Sequence, residues 1–366
     1  MAFIVSVGRA LPKYEYLQEN VKQFIKENFR SGFKDIDRLL PVFDNGGILE
    51  RQFVKPIEWY KTEHTFEEKN NTYIEVATEL GVKAIDNCLN NSNILNQPIE
   101  ISEIDAIFFV SSTGVSTPSI DAKIMNRLPF KETTKRIPIW GLGCAGGASG
   151  ISRAFEYCRA YPESYVLIVT VELCSLTFQL SDTSKSNLIG TSLFSDGVAC
   201  TCIAGKDAQL HNKLRFSTLP LVKSTGSSFM KDSEDIMGWN IKNEGFHVVF
   251  SRDIPSLITK WLRPQVIKML KEQGLELNDI GYFLAHPGGK KILEAYKNGL
   301  DFKDKHLQIS EEVLRNHGNM SSVTVMYVIQ EYLEREVGLA GELGIIAALG
   351  PGFSSEMILI EWRAVT

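Results

Sequence analysis

The chain has 366 residues, of which 44% are hydrophobic and 23% charged, a balance typical of a globular protein with a large core and two domain-sized halves. Its formal net charge of −5 and the absence of a basic stripe argue against nucleic acid as a partner. Its 6 cysteines form no CxxC pair, which indicates reduced thiols in the cytoplasm. The start lacks a basic leader, and no apolar run approaches about 18 residues, so we expect neither secretion nor a membrane span.

The predicted elements begin with a strand that ends at the turn Leu11-Pro12, and residues 15–90 have the charged, helical spacing of a mostly helical segment. Strands and helices then alternate, which favours a mostly parallel sheet covered on both faces. The first set comprises strands over 104–110, 165–171 and 197–203, with a helix over 144–158. The second set comprises strands over 280–285, 343–349 and 356–362, with a helix over 318–333.

The repeated order predicts a duplicated architecture. Residue 104 precedes Cys144 by about the distance that separates residue 280 from Asn319, although few side chains match between the halves. The first half carries an extra segment over 174–194, of a kind that commonly builds substrate pockets. We therefore predict two α/β halves, 1–212 and 213–366, packed as one body without a linker.

Cys144 stands in the stretch IPIWGLGCAGGASG, where an apolar run meets a predicted helix. The amide end of a helix carries partial positive charge, so a thiol placed there can have a lowered pKa and act as a nucleophile. A buried structural thiol is the alternative. The glycines also spell GxGxxG, but the motif lies mid-chain and Glu163, near the expected distance, falls in a turn, which disfavours nicotinamide binding.

Two polar residues occupy positions that match Cys144 in the repeated order. His286 follows the strand over 280–285, and Asn319 opens the small-residue helix. Taken singly, the histidine could be hydrogen-bonded at a strand end and the asparagine could be a helix N-cap. A cysteine, a histidine and an amide at matching ends of a repeated unit together point to acyl transfer through a thioester.

The motifs GLGCAGG, AHPGGKKILEAY, GNMSS and GPG make the chain similar to type III polyketide synthases, the chalcone synthase family. The similarity runs from about residue 100 onward, is looser before it, and is greater to bacterial alkylpyrone-forming members than to plant enzymes. It implies a thiolase-like α/β fold with duplicated αβαβα five-layered halves and a homodimer. It also implies that Cys144 carries the acyl group and that His286 and Asn319 complete a triad.

The mechanism that this resemblance implies is a decarboxylative Claisen condensation. His286 would pair with the Cys144 thiolate, which takes an acyl group from acyl-CoA. His286 and Asn319 would then donate hydrogen bonds to the malonyl-CoA thioester oxygen as carboxylate leaves. The substrates would be CoA thioesters, with no metal or redox cofactor.

The resemblance also assigns residues around the substrate. Phe194 matches the gatekeeper phenylalanine, with an ordinary core aromatic as the alternative. Val248 stands where plant enzymes have a second gating phenylalanine, Cys174 where they have a threonine, and Thr117 where a methionine crosses their dimer interface. These changes remove bulk or polarity, so we expect an apolar tunnel that accepts a long-chain fatty acyl starter.

Further pocket and CoA residues follow from the same resemblance. Ser321 matches a pocket-lining serine, and the GPG backbone is expected to shape the cavity floor. Lys34 and Arg38 match, in position and helical spacing, residues that hold the CoA phosphates, with a solvated helix face as the alternative. The GPG residues are Gly350, Pro351 and Gly352.

Three other functions remain as alternatives. A type III ketoacyl synthase of fatty-acid initiation has the same triad, but its histidine and asparagine stand in different sequences and it lacks the LFSDG gate in this form. A hydroxymethylglutaryl-CoA synthase needs an acidic residue for which the sequence offers no identifiable glutamate. A catalytically silent acyl-binding protein would not need to retain the cysteine, the histidine and the asparagine. The number of malonyl extensions and the lactone or aldol ring closure depend on cavity volume.

Overall fold

A computed structural model describes residues 1–29, 35–251 and 253–365. Its strands are β1 Ala2–Ala10, β2 Tyr14–Leu17, β3 Glu50–Phe53, β4 Ile104–Ser111, β5 Lys135–Trp140, β6 Tyr165–Leu173, β7 Asp196–Gly205, β8 Thr218–Phe229, β9 Met237–Lys242, β10 Gly245–Phe250, β11 Ile280–Ala285, β12 Leu343–Gly350 and β13 Ser354–Ala364. Its helices are α1 Gln18–Asn28, α2 Pro41–Asp44, α3 Phe66–Leu89, α4 Ile120–Met125, α5 Gly146–Ala160, α6 Lys185–Leu193, α7 Ile254–Leu257, α8 Arg263–Glu272, α9 Lys290–Leu300, α10 Gln308–His317 and α11 Thr324–Glu334.

Within the described ranges, nine strands form one mixed sheet in the order β11-β12-β13-β8-β1-β7-β6-β4-β5. This sheet has two sides, one formed by β5, β4, β6, β7 and β1 and the other by β11, β12, β13 and β8. The strands of the two sides follow the same pattern of directions. In the first, β4 and β6 are parallel while β7 and β1 follow antiparallel. In the second, β11 and β12 are parallel while β13 and β8 follow antiparallel. Two residue pairs, Ala2 with Val222 and Phe3 with Leu221, join β1 to β8.

Helices α5 and α11 lie between the two sides of the sheet. Glycine makes this contact possible, because a Cβ at Gly147 would lie 2.2 Å from the Ser322 carbonyl oxygen. Neighbouring residues of β6 point to opposite faces, so that Ile168 packs on α5 and Val169 on α3. Apolar residues of α8 and α9 cover the outer face of β11, β12 and β13. Helix, sheet, helix, sheet and helix layers follow one another, which confirms the predicted five-layered α/β fold.

Most predicted strands are confirmed: those over 104–110, 165–171, 197–203, 280–285, 343–349 and 356–362 correspond to β4, β6, β7, β11, β12 and β13. The mostly helical segment over 15–90 is partly wrong, because β2 and β3 pair there as a small antiparallel sheet. The long helix α3 begins only after Thr65, whose side chain accepts a hydrogen bond from the Glu68 amide in a capping box. The predicted boundary at 212/213 falls between β7 and β8 and stays a prediction.

Two other sequence expectations concern membranes and cysteines. Across the described ranges, none of the helices combines the length and the apolar character that crossing a bilayer requires. All 6 cysteines are unpaired.

Candidate active site

Cys144 lies on a short turn between an edge strand and a central helix. Strand β5 ends at Trp140, the 3₁₀ turn Gly143–Ala145 holds the cysteine, and α5 begins at Gly146. Gly143 has a φ of +46°, and a Cβ there would lie 2.8 Å from the Pro351 ring. The glycines of this stretch therefore serve close packing, and the predicted strand-to-helix turn is confirmed.

Asn319 connects three parts of the site. Its backbone pairs with the chain on either side of Phe194, since its N–H donates to the Leu193 carbonyl (2.9 Å) and its own carbonyl accepts from the Ser195 N–H (2.9 Å). Its side-chain Nδ2 donates to the Gly288 carbonyl at 3.1 Å. Its Oδ1 accepts from the Ser321 N–H at 2.8 Å. The predicted helix over 318–333 therefore starts later, at Thr324, because these residues form the site turn instead.

Burial raises the pKa of the Cys144 thiol to about 12, and the nearby Glu172 carboxylate raises it further. The neighbouring side chains of Ser321 and Asn319 act in the opposite direction and favour the thiolate. The sequence predicted a lowered pKa from the end of the helix. The pKa moves the other way because loss of water around the sulfur outweighs the helix end and these two polar side chains.

His286 follows β11, two residues before the Gly288 carbonyl that Asn319 contacts. It is only 2% exposed, and within the described residues neither ring nitrogen has a hydrogen-bond partner. Burial lowers the pKa of this imidazole to about 3, so the ring is neutral near pH 7. Both nitrogens are thus free to hydrogen-bond a substrate.

Glu172 is a buried acid that the sequence reasoning missed. It ends the strand β6, and its carboxylate accepts hydrogen bonds from the Ser322 hydroxyl at 2.7 Å and from the hydroxyl and amide of Ser112 at 3.0 and 3.1 Å. Burial raises the pKa of Glu172 to about 7. The signal was an acidic residue inside the otherwise apolar run YVLIVTVEL.

A cavity with about 40 Å³ of free volume reaches the site through Phe194, whose neighbours Leu193 and Ser195 pair with Asn319; Cys144, His286 and Asn319 themselves are not among its lining residues. Phe194, Cys174 and Val248 all line it, so the structure brings these three predicted pocket residues together. Cys174 is close enough to Cys144 for the charge of the Cys144 thiolate to raise the pKa of Cys174, which burial already raises. The segment over 174–194, predicted to build a pocket, supplies much of the wall through the 3₁₀ turn Cys174–Thr177 and helix α6.

The ring of Phe194 packs against two aromatic residues that the sequence did not indicate. Its centroid lies 5.6 Å from that of Trp239 and 5.6 Å from that of Phe250. Both residues belong to the β9–β10 hairpin, in which Val248 pairs with Trp239. Trp239 and Phe250 therefore supply part of the bulk that a phenylalanine in place of Val248 would provide.

The GPG turn lies against the cysteine turn. A Cβ at Gly350 would lie 2.5 Å from the Leu142 carbonyl oxygen, and Pro351 packs on Gly143. Gly352 has a φ of +98°, which glycine adopts without strain. In this structure the turn supports the residue that carries the thiol, whereas the sequence assigned it to the cavity floor.

Thr117 and Arg38, two of the predicted residues, do not join the site within this chain. Thr117 is exposed and forms a cis peptide with Pro118. Arg38 is exposed on a turn, where its backbone N–H donates to Asp35, so the helical spacing inferred for it does not form a helix. Lys34 lies outside the described residues. Lys290 at the start of α9 is another exposed cation, and it packs against Gly47 close after α2.

Comparisons with known proteins give a consistent result. Residues 48–208 match the family model for the N-terminal domain of chalcone and stilbene synthases, and residues 221–365 match the model for the C-terminal domain. The chain is 52% identical to a Bacillus subtilis (strain 168) protein whose name places it among the chalcone synthases, over 99% of both chains. It is 33% identical to the 1,3,6,8-tetrahydroxynaphthalene synthase of Streptomyces peucetius subsp. caesius, over 98% of this chain and 93% of that enzyme.

Two further similarities bear on product and fold. Pks18 of Mycobacterium tuberculosis (strain ATCC 25618 / H37Rv), described as an alpha-pyrone synthesis polyketide synthase-like protein, is 29% identical over 81% of this chain and 74% of its own. The crystal structure of the Streptomyces coelicolor A3(2) 1,3,6,8-tetrahydroxynaphthalene synthase, a bacterial type III polyketide synthase, superposes with a TM-score of 0.90. It is 28% identical, and the superposition covers 99% of both chains.

Proposed function

Because the chain belongs to the chalcone and stilbene synthase family and is a type III polyketide synthase, we propose that it extends a long-chain fatty acyl-CoA starter with malonyl-CoA and releases alkylpyrones. The observation that carries this proposal is the placement of the Cys144 thiol beside Asn319 and Ser321, close to a cavity lined by Phe194.

The first step loads the starter onto Cys144. With a neutral thiol and a neutral imidazole at rest, His286 takes the proton from sulfur as the thiolate attacks the acyl-CoA carbonyl. The C–S bond to CoA breaks, and the CoA thiolate leaves with the proton that His286 returns. The predicted thiolate–imidazolium pair is thus a state of the reaction, formed when substrate is bound.

The second step makes the new carbon–carbon bond. Malonyl-CoA loses its carboxylate as CO₂, and the electron pair moves onto the thioester oxygen as an enolate. An amide NH₂ has two hydrogens, so Asn319 Nδ2 can donate to this oxygen while it still donates to the Gly288 carbonyl. His286 supplies a second donor. The enolate carbon then attacks the Cys144 thioester, and the cysteine thiolate leaves.

The starter is assigned from the wall of the cavity. Val21, Phe24, Phe53 and Phe178 give it an apolar lining, which suits methylene groups. The free volume of about 40 Å³ is smaller than a long chain, so the chain must displace side chains as it enters. The Phe194 ring, packed on a two-stranded hairpin, is the side chain we expect to turn.

We further propose a homodimer that forms along β5. This strand is the edge of the sheet, and its Trp140 is 51% exposed. The Trp140 indole donates to the Gly114 carbonyl (3.0 Å), next to Val115, which is 40% exposed, and near Thr117. An unpaired edge with exposed apolar side chains is a surface that a second chain can cover.

The remaining assignments come from the family resemblance and the cysteine pattern. The resemblance assigns Lys34 and Arg38 to the CoA phosphates, and we add Lys290 because it is exposed and lies against Gly47, close after α2. The proposed reaction steps use the chain's own groups and two CoA thioesters. That the enzyme needs neither a metal nor a redox cofactor stays a prediction. A cytoplasmic location likewise stays a prediction.

The test supplies the purified protein with acyl-CoA starters of different lengths and malonyl-CoA, without carrier protein, and identifies products by mass. We expect alkylpyrones from the wild type, none from Cys144→Ala, and a rate about 10² to 10³ lower for Asn319→Ala, which removes one donor to the enolate oxygen. Cys158→Ala, a buried thiol on the far end of α5, is the matched control. Strict dependence on a carrier protein would instead support a ketoacyl synthase. The absence of any product would support a catalytically silent acyl-binding protein.

A further inference from the structure

Arg51 is a fully buried cation in the wall of the cavity that Phe194 lines. It belongs to β3, and its Nη1 donates to the carbonyls of Thr191 (2.5 Å) and Phe194 (2.8 Å) at the end of α6. One of its three nitrogens is therefore committed to the backbone that carries the gate residue.

The other two nitrogens of this guanidinium are unused. Nε and Nη2 are buried, and neither has a hydrogen-bond partner in the described ranges. In a planar guanidinium the Nε–H bond and one Nη2–H bond point the same way and form a fork. The spacing of this fork matches the two oxygens of a carboxylate.

No acid among the described residues forms an ion pair with Arg51, whose guanidinium carbon lies 5.4 Å from the centre of the Phe53 ring. Asp196 is the acid whose field it feels, but the two carboxylate oxygens of Asp196 are occupied elsewhere. Oδ1 accepts from the Ser175 amide at 2.6 Å, and Oδ2 accepts from the Ser175 hydroxyl at 2.5 Å and the Val54 amide at 2.8 Å. Burial lowers the pKa of Arg51 only to about 9, so the group is protonated near pH 7. Buried charges of this kind are normally paired.

We propose that the Nε/Nη2 fork of Arg51 binds a carboxylate at the far end of the starter acyl group, so that the cavity accepts mono-CoA thioesters of dicarboxylic acids. This rests on the proposed function, in which the starter occupies the cavity. The apolar side chains contact the methylenes, and the fork contacts the terminal oxygens. A chain that ends in a methyl group would leave both buried donors unpaired, which a site built for hydrogen bonding discriminates against. The pyrones released would carry a carboxyalkyl group.

The test compares CoA thioesters of equal length that end either in a methyl group or in a carboxylate, with malonyl-CoA as extender. At the length that reaches the fork, we expect kcat/KM to be about 10- to 100-fold higher for the carboxylated starter. Arg51→Lys keeps a charge but loses the fork, and Arg51→Met loses both. In either variant the preference should disappear.

Gln18→Leu is the matched control. The Gln18 side chain also anchors the end of α6, since its Nε2 donates to the Ser192 carbonyl at 2.8 Å, but it does not belong to the fork. This variant should keep the preference for the carboxylated starter. The ratio of two kcat/KM values does not depend on the fraction of folded enzyme, and the wild-type comparison needs no variant.

The possible outcomes separate this inference from the proposed function. The inference is overturned if, at every length, kcat/KM is the same for methyl-ended and carboxylated starters. It is also overturned if Arg51→Met keeps the preference for the carboxylated starter. In both cases the polyketide synthase assignment stands. If no acyl-CoA starter of either kind gives a product, the proposed function itself fails.

Discussion

Three side chains of the candidate site can gain or lose a proton: the half-buried thiol of Cys144, the buried imidazole of His286 and the buried carboxyl of Glu172. Burial favours the neutral form of each, because it raises the pKa of the two acids and lowers that of the base. Without substrate, the thiol and the imidazole are therefore both uncharged. Glu172, whose pKa lies near 7, is the member of the three that is partly charged near pH 7 before a substrate binds.

Glu172 gives a prediction about stability and pH. Its pKa is raised from 4.5 to about 7, so the folded protein binds this proton more tightly than the unfolded chain. The protonated carboxyl of Glu172 therefore contributes fully to the stability of the folded protein below about pH 4.5. This contribution is lost as the pH rises to about 7, which lowers the free energy of unfolding by about 3 kcal/mol. Glu172→Gln should remove this pH dependence. The stability of the variant relative to the wild type should therefore be higher at pH 8 than at pH 5.

Urea unfolding of both proteins at the two pH values measures this difference. Glu163→Gln, on an exposed turn, is the control and should follow the wild type. A Glu172→Gln variant whose stability relative to wild type is the same at pH 5 and pH 8 would contradict the raised pKa.

At the residue scale, the sequence predicted what chain order can reveal. Cys144, His286 and Asn319 could be found because each follows a matching element of a repeated pattern. Glu172 and Arg51 could not be found in that way, since their importance comes from burial against segments distant in sequence: Ser322 for the acid and the end of α6 for the arginine. Isolation from water is a property of the packed molecule.

The β9–β10 hairpin controls the width of the cavity at the scale of elements. On β10, Val248 lines the cavity, and Phe250, two residues along on the same face, packs against the gate ring. Gly190 of α6 faces Val248, where even a Cβ would lie 3.1 Å from the valine side chain. A larger side chain at 248 therefore has little space except the cavity itself.

Val248→Phe should selectively impair long acyl-CoA starters. Overpacking costs about 1 to 3 kcal/mol, so we expect kcat/KM for a long-chain starter to fall about tenfold or more, with a short starter much less affected. Val249→Phe, on the opposite face of the same strand, is the matched control. An unchanged chain-length preference in Val248→Phe would disprove the assignment of this cavity to the acyl chain.

Elements with continuous apolar runs were predictable, and those without were not. The strands β4 and β6 are buried almost throughout and β11 is buried at most positions, so their sequences are mostly apolar. The strand β8 reads TLPLVKSTGSSF, with polar residues along its second half, yet it pairs with β13 along its whole length. That pairing comes from a neighbour more than 100 residues later in the chain, which no local pattern indicates.

For the whole molecule, the proposed dimer surface predicts a change of mass. Trp140→Arg places a charge at the end of the exposed β5 edge, where a partner chain would have to bury it. We expect this variant to sediment as a monomer under conditions in which the wild type sediments as a dimer. Leu339→Arg, at an apolar residue that is 73% exposed on another surface, should remain dimeric. If the wild type sediments as a monomer, the proposed dimer does not form. If Trp140→Arg still sediments as a dimer, the interface lies elsewhere than at Trp140.

The contact between Gly143 and Pro351 joins the turn of the nucleophile to a turn near the other end of the chain. Asn319 makes a second such link, because it pairs with the backbone on both sides of Phe194. Each half of the repeat thus holds part of the other half's geometry. Either half on its own would therefore lack contacts that hold the turn of the thiol and the backbone around Phe194 in place.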